Sequence, residues 1–142
     1  MSKAKQVYVV GFLFVGDWDV ILIKKSRPAW QKGKLNGVGG HVEEGETPAQ
    51  AMAREFTEET GDAQFIDWEN YITLELEDCT IHFFRAFKDY TSAHTTTDED
   101  VMWVKLTVLD AYQDVLPNLL WLIPLAQSGD SFHDKCNYTP AP

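Results

Sequence analysis

Between Gly40 and Gly61 the chain reads G-HVEEG-E-TPAQAMA-R-E-F-T-E-E-T-G, and this stretch limits the possible folds more than any other. It carries its own helix boundaries. Thr47 suits an N-cap, Pro48 the first helical position, and Gln50 completes a Thr-x-x-Gln capping box. Gly61 is suited to end the helix in a left-handed conformation. A helix over 48–60 follows, with Ala49, Met52, Ala53 and Phe56 at i, i+3, i+4 and i+7 as an apolar stripe that must pack on something.

Glu55, Glu58 and Glu59 fall beside that stripe at i, i+3 and i+4, where helix neighbours stand about 5–6 Å apart. Three like charges so close repel one another, and a hard divalent cation removes the repulsion. Mg²⁺ takes oxygen ligands, commonly one or two carboxylates, and fills its shell with water and substrate phosphate. Upstream, Gly37-Val38-Gly39-Gly40 reads as a loop whose unshielded backbone approaches the site closely, with Gly39 toward substrate and Gly40 toward metal. Arg54 keeps its charge under all conditions. Either it pairs with Glu46 and holds the loop and helix together, or it contacts phosphate directly. Written as a pattern, the segment is Gly, five residues, Glu, seven residues, Arg-Glu-apolar, one residue, Glu-Glu, one residue, Gly. A chance match at a given start point is roughly one in a billion, so an acidic solvated helix face does not account for it.

The formal net charge of −10 argues against a nucleic-acid polymer as partner. Positive charge is nevertheless concentrated just before the glycines, at Lys24, Lys25, Arg27, Lys32 and Lys34. That stretch is either a solvated loop or a lead-in for a compact polyphosphate, with Arg27 the favoured direct contact and Lys25 beside it. No apolar run reaches about 18 residues, so no transmembrane helix or membrane partner is expected. The polar N-terminus lacks a signal-peptide pattern, and Cys79 and Cys136 have no metal-type spacing, which fits a reducing cytoplasm. At 142 residues one domain is expected.

Strands are expected at 7–14, 20–25, 64–76, 80–88 and 101–106, with a turn at 77–79 and a second helix at 118–127. Residues 26–36 read as a long basic loop, and 90–100 as a mobile Thr-rich loop. The tail beyond 128 shows no periodicity. Runs of strands with one central and one late helix indicate an α+β domain with a mixed sheet between helices.

The 40–61 segment matches the Nudix box, and the chain resembles a small MutT-like Nudix hydrolase, with the resemblance covering roughly 5–128. It implies an α/β/α sandwich with one box helix and one C-terminal helix, and 129–142 as an irregular tail. It also implies hydrolysis of a nucleoside diphosphate linked to another group, with Mg²⁺ or Mn²⁺ on Glu55, Glu58 and Glu59. Glu58→Gln is then expected to remove more than about a hundredfold of activity. The general base varies among relatives; Glu99, in the acidic run 98–100, is the choice here for an additional ligand or base, against an exposed acidic loop. One box position departs from the pattern: the last, normally apolar, is Asp62, for which a local packing difference is expected.

Residues 34–40 resemble the Trp-Asn-Gly-Phe-Gly-Gly run of animal oxidised-purine triphosphatases, in which the Asn reads the base. Asn36 either does so or closes an Asn-Gly turn. Asn118, after Pro117, falls where MutT-like enzymes place a base-contacting Asn or Asp. The favoured substrate is a purine or oxidised-purine nucleoside triphosphate, yielding monophosphate and pyrophosphate. Alternatives are a nucleotide sugar or dihydroneopterin triphosphate, or a non-catalytic nucleotide sensor. A dimer contact through Cys136 and Tyr138 is left open against a monomer.

Overall fold

The computed structural model describes residues 5–129 and 136–137. A central parallel pair carries the architecture: β1 (Gln6–Val15) and β6 (Cys79–Lys88) run side by side in register from Gln6↔Cys79 to Val15↔Lys88. On one flank β1 pairs antiparallel with β2 (Asp19–Lys24), which pairs in turn with β3 (Leu35–Asn36) and β7 (Asp100–Lys105). On the other flank β5 (Glu69–Glu75) adds antiparallel to β6, and β8 (Cys136–Asn137) adds parallel to β5. The remaining strand, β4 (Val38–His41), pairs with β1.

Alternation along the strands makes two faces, and each needs a cover. Phe12, Phe14, Val20, Leu22 and Phe83 point to one side and pack with Leu119, Leu122, Ile123 and Ala126 of helix α2 (Leu119–Ser128). Val9, Leu13, Ile21, Ile23 and Phe84 point to the other and pack with Ala51, Met52 and Phe56 of helix α1 (Pro48–Thr60). The result is an α+β mixed sheet between helices. Full burial of each such side chain contributes about 1.5–3 kcal/mol, so both helices are held by tertiary packing.

The α1 boundaries follow the capping signals: Thr47 and Gln50 form both halves of the capping box, and Gly61 closes the helix at φ 74°. Its buried face differs from the expected stripe. Ala49 and Ala53 are exposed and line an open cleft with Phe65 and Trp68, whereas Ala51, Met52, Phe56 and Thr60 are buried. None of the glutamates lines that cleft.

Other differences are local. The glycine run, expected as a loop, is the strand β4, because glycines let its backbone lie against β1. The expected 26–36 loop contains a 3-10 turn at Ala29–Gln31 and ends in β3. Residues 64–68 stay outside β5: Gln64 is tied back to Asp62, and the Trp68 amide closes a tight turn onto the Ile66 carbonyl. The tail contributes the short β8; Tyr138 lies outside the described residues. Among the described residues no helix is long and apolar enough to cross a membrane.

Candidate active site

Strand β4 and helix α1 are the two walls of the site, and glycine determines how closely they meet. Built onto Gly39, a Cβ would stand 1.9 Å from the Val9 carbonyl oxygen; on Gly40 it would stand 2.5 Å from Glu55 Oε1. Gly39 therefore admits the β1 backbone and Gly40 admits the Glu55 carboxylate.

Arg54 joins these walls to the intervening loop. Its Nε and Nη2 donate to the two oxygens of Glu46 at 2.8 and 2.9 Å, and Nη2 also donates to the His41 carbonyl at 3.0 Å. Nη1 donates to Glu55 at 2.9 Å and to Glu58 at 3.2 Å. A guanidinium fork on a carboxylate is among the stronger polar contacts. Hydrogen bonds from Arg54 hold the Glu46 carboxyl down at about 2, and the Arg54 guanidinium is itself raised, chiefly by Glu46. The Glu43 amide, also bonded to Glu46, closes the loop on itself.

The three box glutamates do not share one environment. Side-chain exposure is 14% at Glu55 and 58% at Glu58. Glu59 lies further in: its Oε2 is buried and accepts no hydrogen bond. Burial pushes the Glu59 carboxyl up to about 8; Lys25 opposes the rise, and Glu55 and Glu99 add to it. Glu55 is also raised by burial, against the pull of Arg54. The helix thus directs two carboxylates inward and leaves the third in solvent on Arg54.

Glu99 comes to this pair from the distant 90–99 segment. It is 6% exposed, accepts from the Ser26 backbone N–H and hydroxyl, and pairs with Lys25 Nζ at 3.2 Å. Burial alone would raise its carboxyl, but the Ser26 amide and Lys25 together hold it below the ordinary value. The exposed acidic loop expected as the alternative for Glu99 is therefore not what this residue occupies. Lys25 is paired with Glu99 and opposes the rise of Glu59 electrostatically, whereas Arg27 is exposed.

The two amides differ as well. Asn36 donates to Gln31 Oε1 at 3.1 Å and accepts from the Gly37 amide at 2.8 Å, so both ends of its side chain are used. Asn118 stands at the start of α2 and makes no capping hydrogen bond. The segment before it docks on β3: the Leu35 amide bonds the Asp114 carbonyl at 2.7 Å, and the Leu116 amide the Leu35 carbonyl at 3.1 Å. The residue before Asn36 is thereby joined to the 114–116 segment that precedes Asn118.

Among the described residues no three acidic, His or Cys side chains already converge as a closed metal cage. Glu55 and Glu58 both accept from Arg54 Nη1. The residues nevertheless fit a hard cation: a buried, unpartnered carboxylate oxygen on Glu59, with Glu55 against the bare backbone of Gly40, is an oxygen donor set one positive charge would relieve.

Sequence reasoning missed Ser26, Gln31 and Thr91 as partners of site residues. At Asp62, where a local packing difference was expected, the carboxylate is buried and accepts from Gln64 and the Thr91 hydroxyl.

The fold is shared with several solved structures. The MutT structure from Aliivibrio salmonicida and Vibrio cholerae superposes at TM-score 0.68 with 21% identity, over 87% of this chain and 96% of that one. The NUDIX domain of Shewanella oneidensis NrtR, complexed with ADP ribose, superposes at 0.74 with 21% identity over 90% of each chain. A bifunctional NMN adenylyltransferase/ADP ribose pyrophosphatase from Francisella tularensis, with AMP and Mn ion, superposes at 0.71 with 19% identity over 90% of this chain and 42% of that one. No curated protein sequence matches the chain. The family model for the NUDIX domain matches residues 4–122. With that model spanning most of the chain and the box built on β4, α1 and the loop between them, the protein belongs to the Nudix hydrolase superfamily.

Proposed function

We propose that the protein is a divalent-cation-dependent pyrophosphohydrolase that cleaves a nucleoside triphosphate, with purine or oxidised purine favoured, to the monophosphate and pyrophosphate. The observation that carries this reading is the inward pair Glu55 and Glu59 beside the buried Glu99, with an unpartnered oxygen on Glu59. Glu55 and Glu59 would hold Mg²⁺ or Mn²⁺ together with the Gly40 backbone, with Glu58 at the solvent side. A cation bound there supplies Lewis-acid neutralisation of the polyphosphate and a lowered pKa for water. Arg54 keeps Glu55 oriented through the Glu46 fork. Glu99, held ionised, serves as a further ligand or as the base. Arg27 and the exposed Lys24, Lys32 and Lys34 meet the outer phosphates, Lys25 being held by Glu99, and Asn118 meets the base. Asn36 would have to release Gln31 to do the same. The MutT likeness favours a triphosphate; the ADP-ribose-bound neighbour makes a nucleoside diphosphate linked to a sugar the competing substrate.

A titration consequence follows from Glu59. A carboxyl raised from 4.5 to about 8 on folding keeps its proton in the native state after the unfolded chain has lost it. The cation-free protein therefore loses stability as pH rises between those values, and the loss levels off above about 8. Since a cation requires the ionised carboxylate, Mg²⁺ affinity at pH 6 is expected to be at least about tenfold weaker than at pH 8. Thermal-shift titrations with Mg²⁺ at the two pH values measure this. Equal affinity at both would remove Glu59 from the ligand set.

Turnover on a panel of common and 8-oxo purine triphosphates, ADP-ribose and a nucleotide sugar, with Mg²⁺ and with products separated, tests the reaction. Pyrophosphate from one purine triphosphate at the highest kcat/KM is expected. Preferred cleavage of ADP-ribose overturns the substrate, and nucleotide binding with no turnover overturns the enzyme in favour of a sensor.

A further inference from the structure

The mechanism leaves Asp62 unused, yet it is 3% exposed and its carboxylate accepts hydrogen bonds from two other residues. It accepts from the Gln64 amide at 3.0 Å, from Gln64 Nε2 at 2.6 Å and from the buried Thr91 hydroxyl, and the Ser92 amide also faces it. Its own backbone is fixed to the end of α1, through Thr57 Oγ1 to its carbonyl and its amide to Thr60 Oγ1. Thr91 and Ser92 begin the segment that ends at Glu99.

That segment is fastened along its whole length. The His94 amide bonds the Thr60 carbonyl at 2.9 Å, Thr96 Oγ1 the Glu58 carbonyl at 2.7 Å, and Trp103 Nε1 the Ala93 carbonyl at 3.2 Å. Thr95 and Thr97 hydroxyls accept from the Val101 and Glu99 amides. The stretch that reads as a mobile loop is thus a strap across the C-terminal end of the helix that bears Glu55 and Glu59.

We propose that Asp62 is a positioning residue: its carboxylate fastens the 91–99 strap to the end of α1 and so presents Glu99 to Glu59. The proposal rests on the role given above to Glu99. An apolar residue at 62 would leave the buried Thr91 hydroxyl without its acceptor and would release the exposed Gln64 side chain to the Tyr90 carbonyl and solvent, and the strap would lose its first fixed point.

The test is a double-mutant cycle on the best triphosphate with Mg²⁺, using Asp62→Leu and Thr91→Val, each in the native and the Glu99→Gln background. Asp62→Leu is expected to lower kcat by about tenfold or more with KM within about threefold, as for a misplaced rather than a missing group. In the Glu99→Gln background the same change is expected to cost less than about threefold, because the residue being positioned is gone. Thr91→Val, a near-isosteric change that keeps the fold even if Asp62→Leu does not, should show the same background dependence. Hydrogen exchange should quicken at 91–99 and stay slow in β1 and β6. Losses that multiply undiminished in the Glu99→Gln background, or exchange at 91–99 that does not change, would overturn the positioning role alone. A fully active Glu99→Gln would instead remove the reading of Glu99, and the proposal with it.

Discussion

Glu59→Gln is expected to lower kcat/KM by more than about a hundredfold, the scale on which a single preorganised electrostatic group contributes. It should do so without unfolding the protein. Gln keeps the volume and removes a charge that burial already disfavours, so the cation-free variant should be at least as stable as the native protein at pH 8 and above, where Glu59, raised to about 8, is substantially ionised. The same geometry ranks the box glutamates differently from the sequence, which singled out Glu58. Glu58 is largely in solvent and shares Arg54 with Glu46 and Glu55, so Glu58→Gln leaves Arg54 fully paired and the inward carboxylates in position. Its loss is expected to be the smaller of the two. Steady-state kinetics and melting curves on both variants decide the ranking. A Glu58→Gln defect larger than that of Glu59→Gln would reverse it, and a stable Glu59→Gln with near-native turnover would sink the metal site as drawn.

Gly39→Ala is the substitution expected to damage the fold most. The added Cβ would meet the Val9 carbonyl oxygen at 1.9 Å and the Val10 Cα at 3.0 Å. Both are backbone atoms of the central strand, which pairs with β6 along its whole length and has no freedom to retreat. Strand β4 would have to peel from β1, taking Gly40 and the Glu55 contact with it. A cost of about 3 kcal/mol or more is expected, at the top of the usual range for overpacking. That corresponds to a fall of about 10 °C or more in Tm for a domain of this size. Scanning calorimetry gives the answer directly, and a native-like Tm would mean that β4 is not held against β1 in solution.

Much of this protein was legible because its signals are local. The capping box, Pro48 and Gly61 act within one helical turn, so the α1 boundaries could be read from neighbours in sequence. The alternating runs of β1, β2 and β6 announced themselves for the same reason, since a strand's two faces repeat every second residue. The Arg54–Glu46 pairing spans eight residues and belongs to the box pattern itself. Strands β3 and β4 were missed because runs of two and four residues, the latter with two glycines, carry no periodic signal.

The rest needed the third dimension. The face of α1 that the sheet covers is Ala51, Met52, Phe56 and Thr60, with Glu55 and Glu59 partly buried beside it. Counting only apolar residues at helical spacing instead places Ala49 and Ala53 on that face, and both are exposed. Sequence hydrophobicity cannot see a buried carboxylate, because burial of a charge is tolerated only where a partner or a cation compensates it. Nor could it show that Lys25, Ser26 and Glu99, separated by more than seventy residues, meet around one carboxylate. The chain by itself determined the helix, its charged residues and the chemistry they suit. Only the packing of α1 on the sheet decided which carboxylates turn inward, because that depends on which face the core covers. The strap from Asp62 to Glu99 decided which distant acid joins them, through hydrogen bonds that no local pattern encodes.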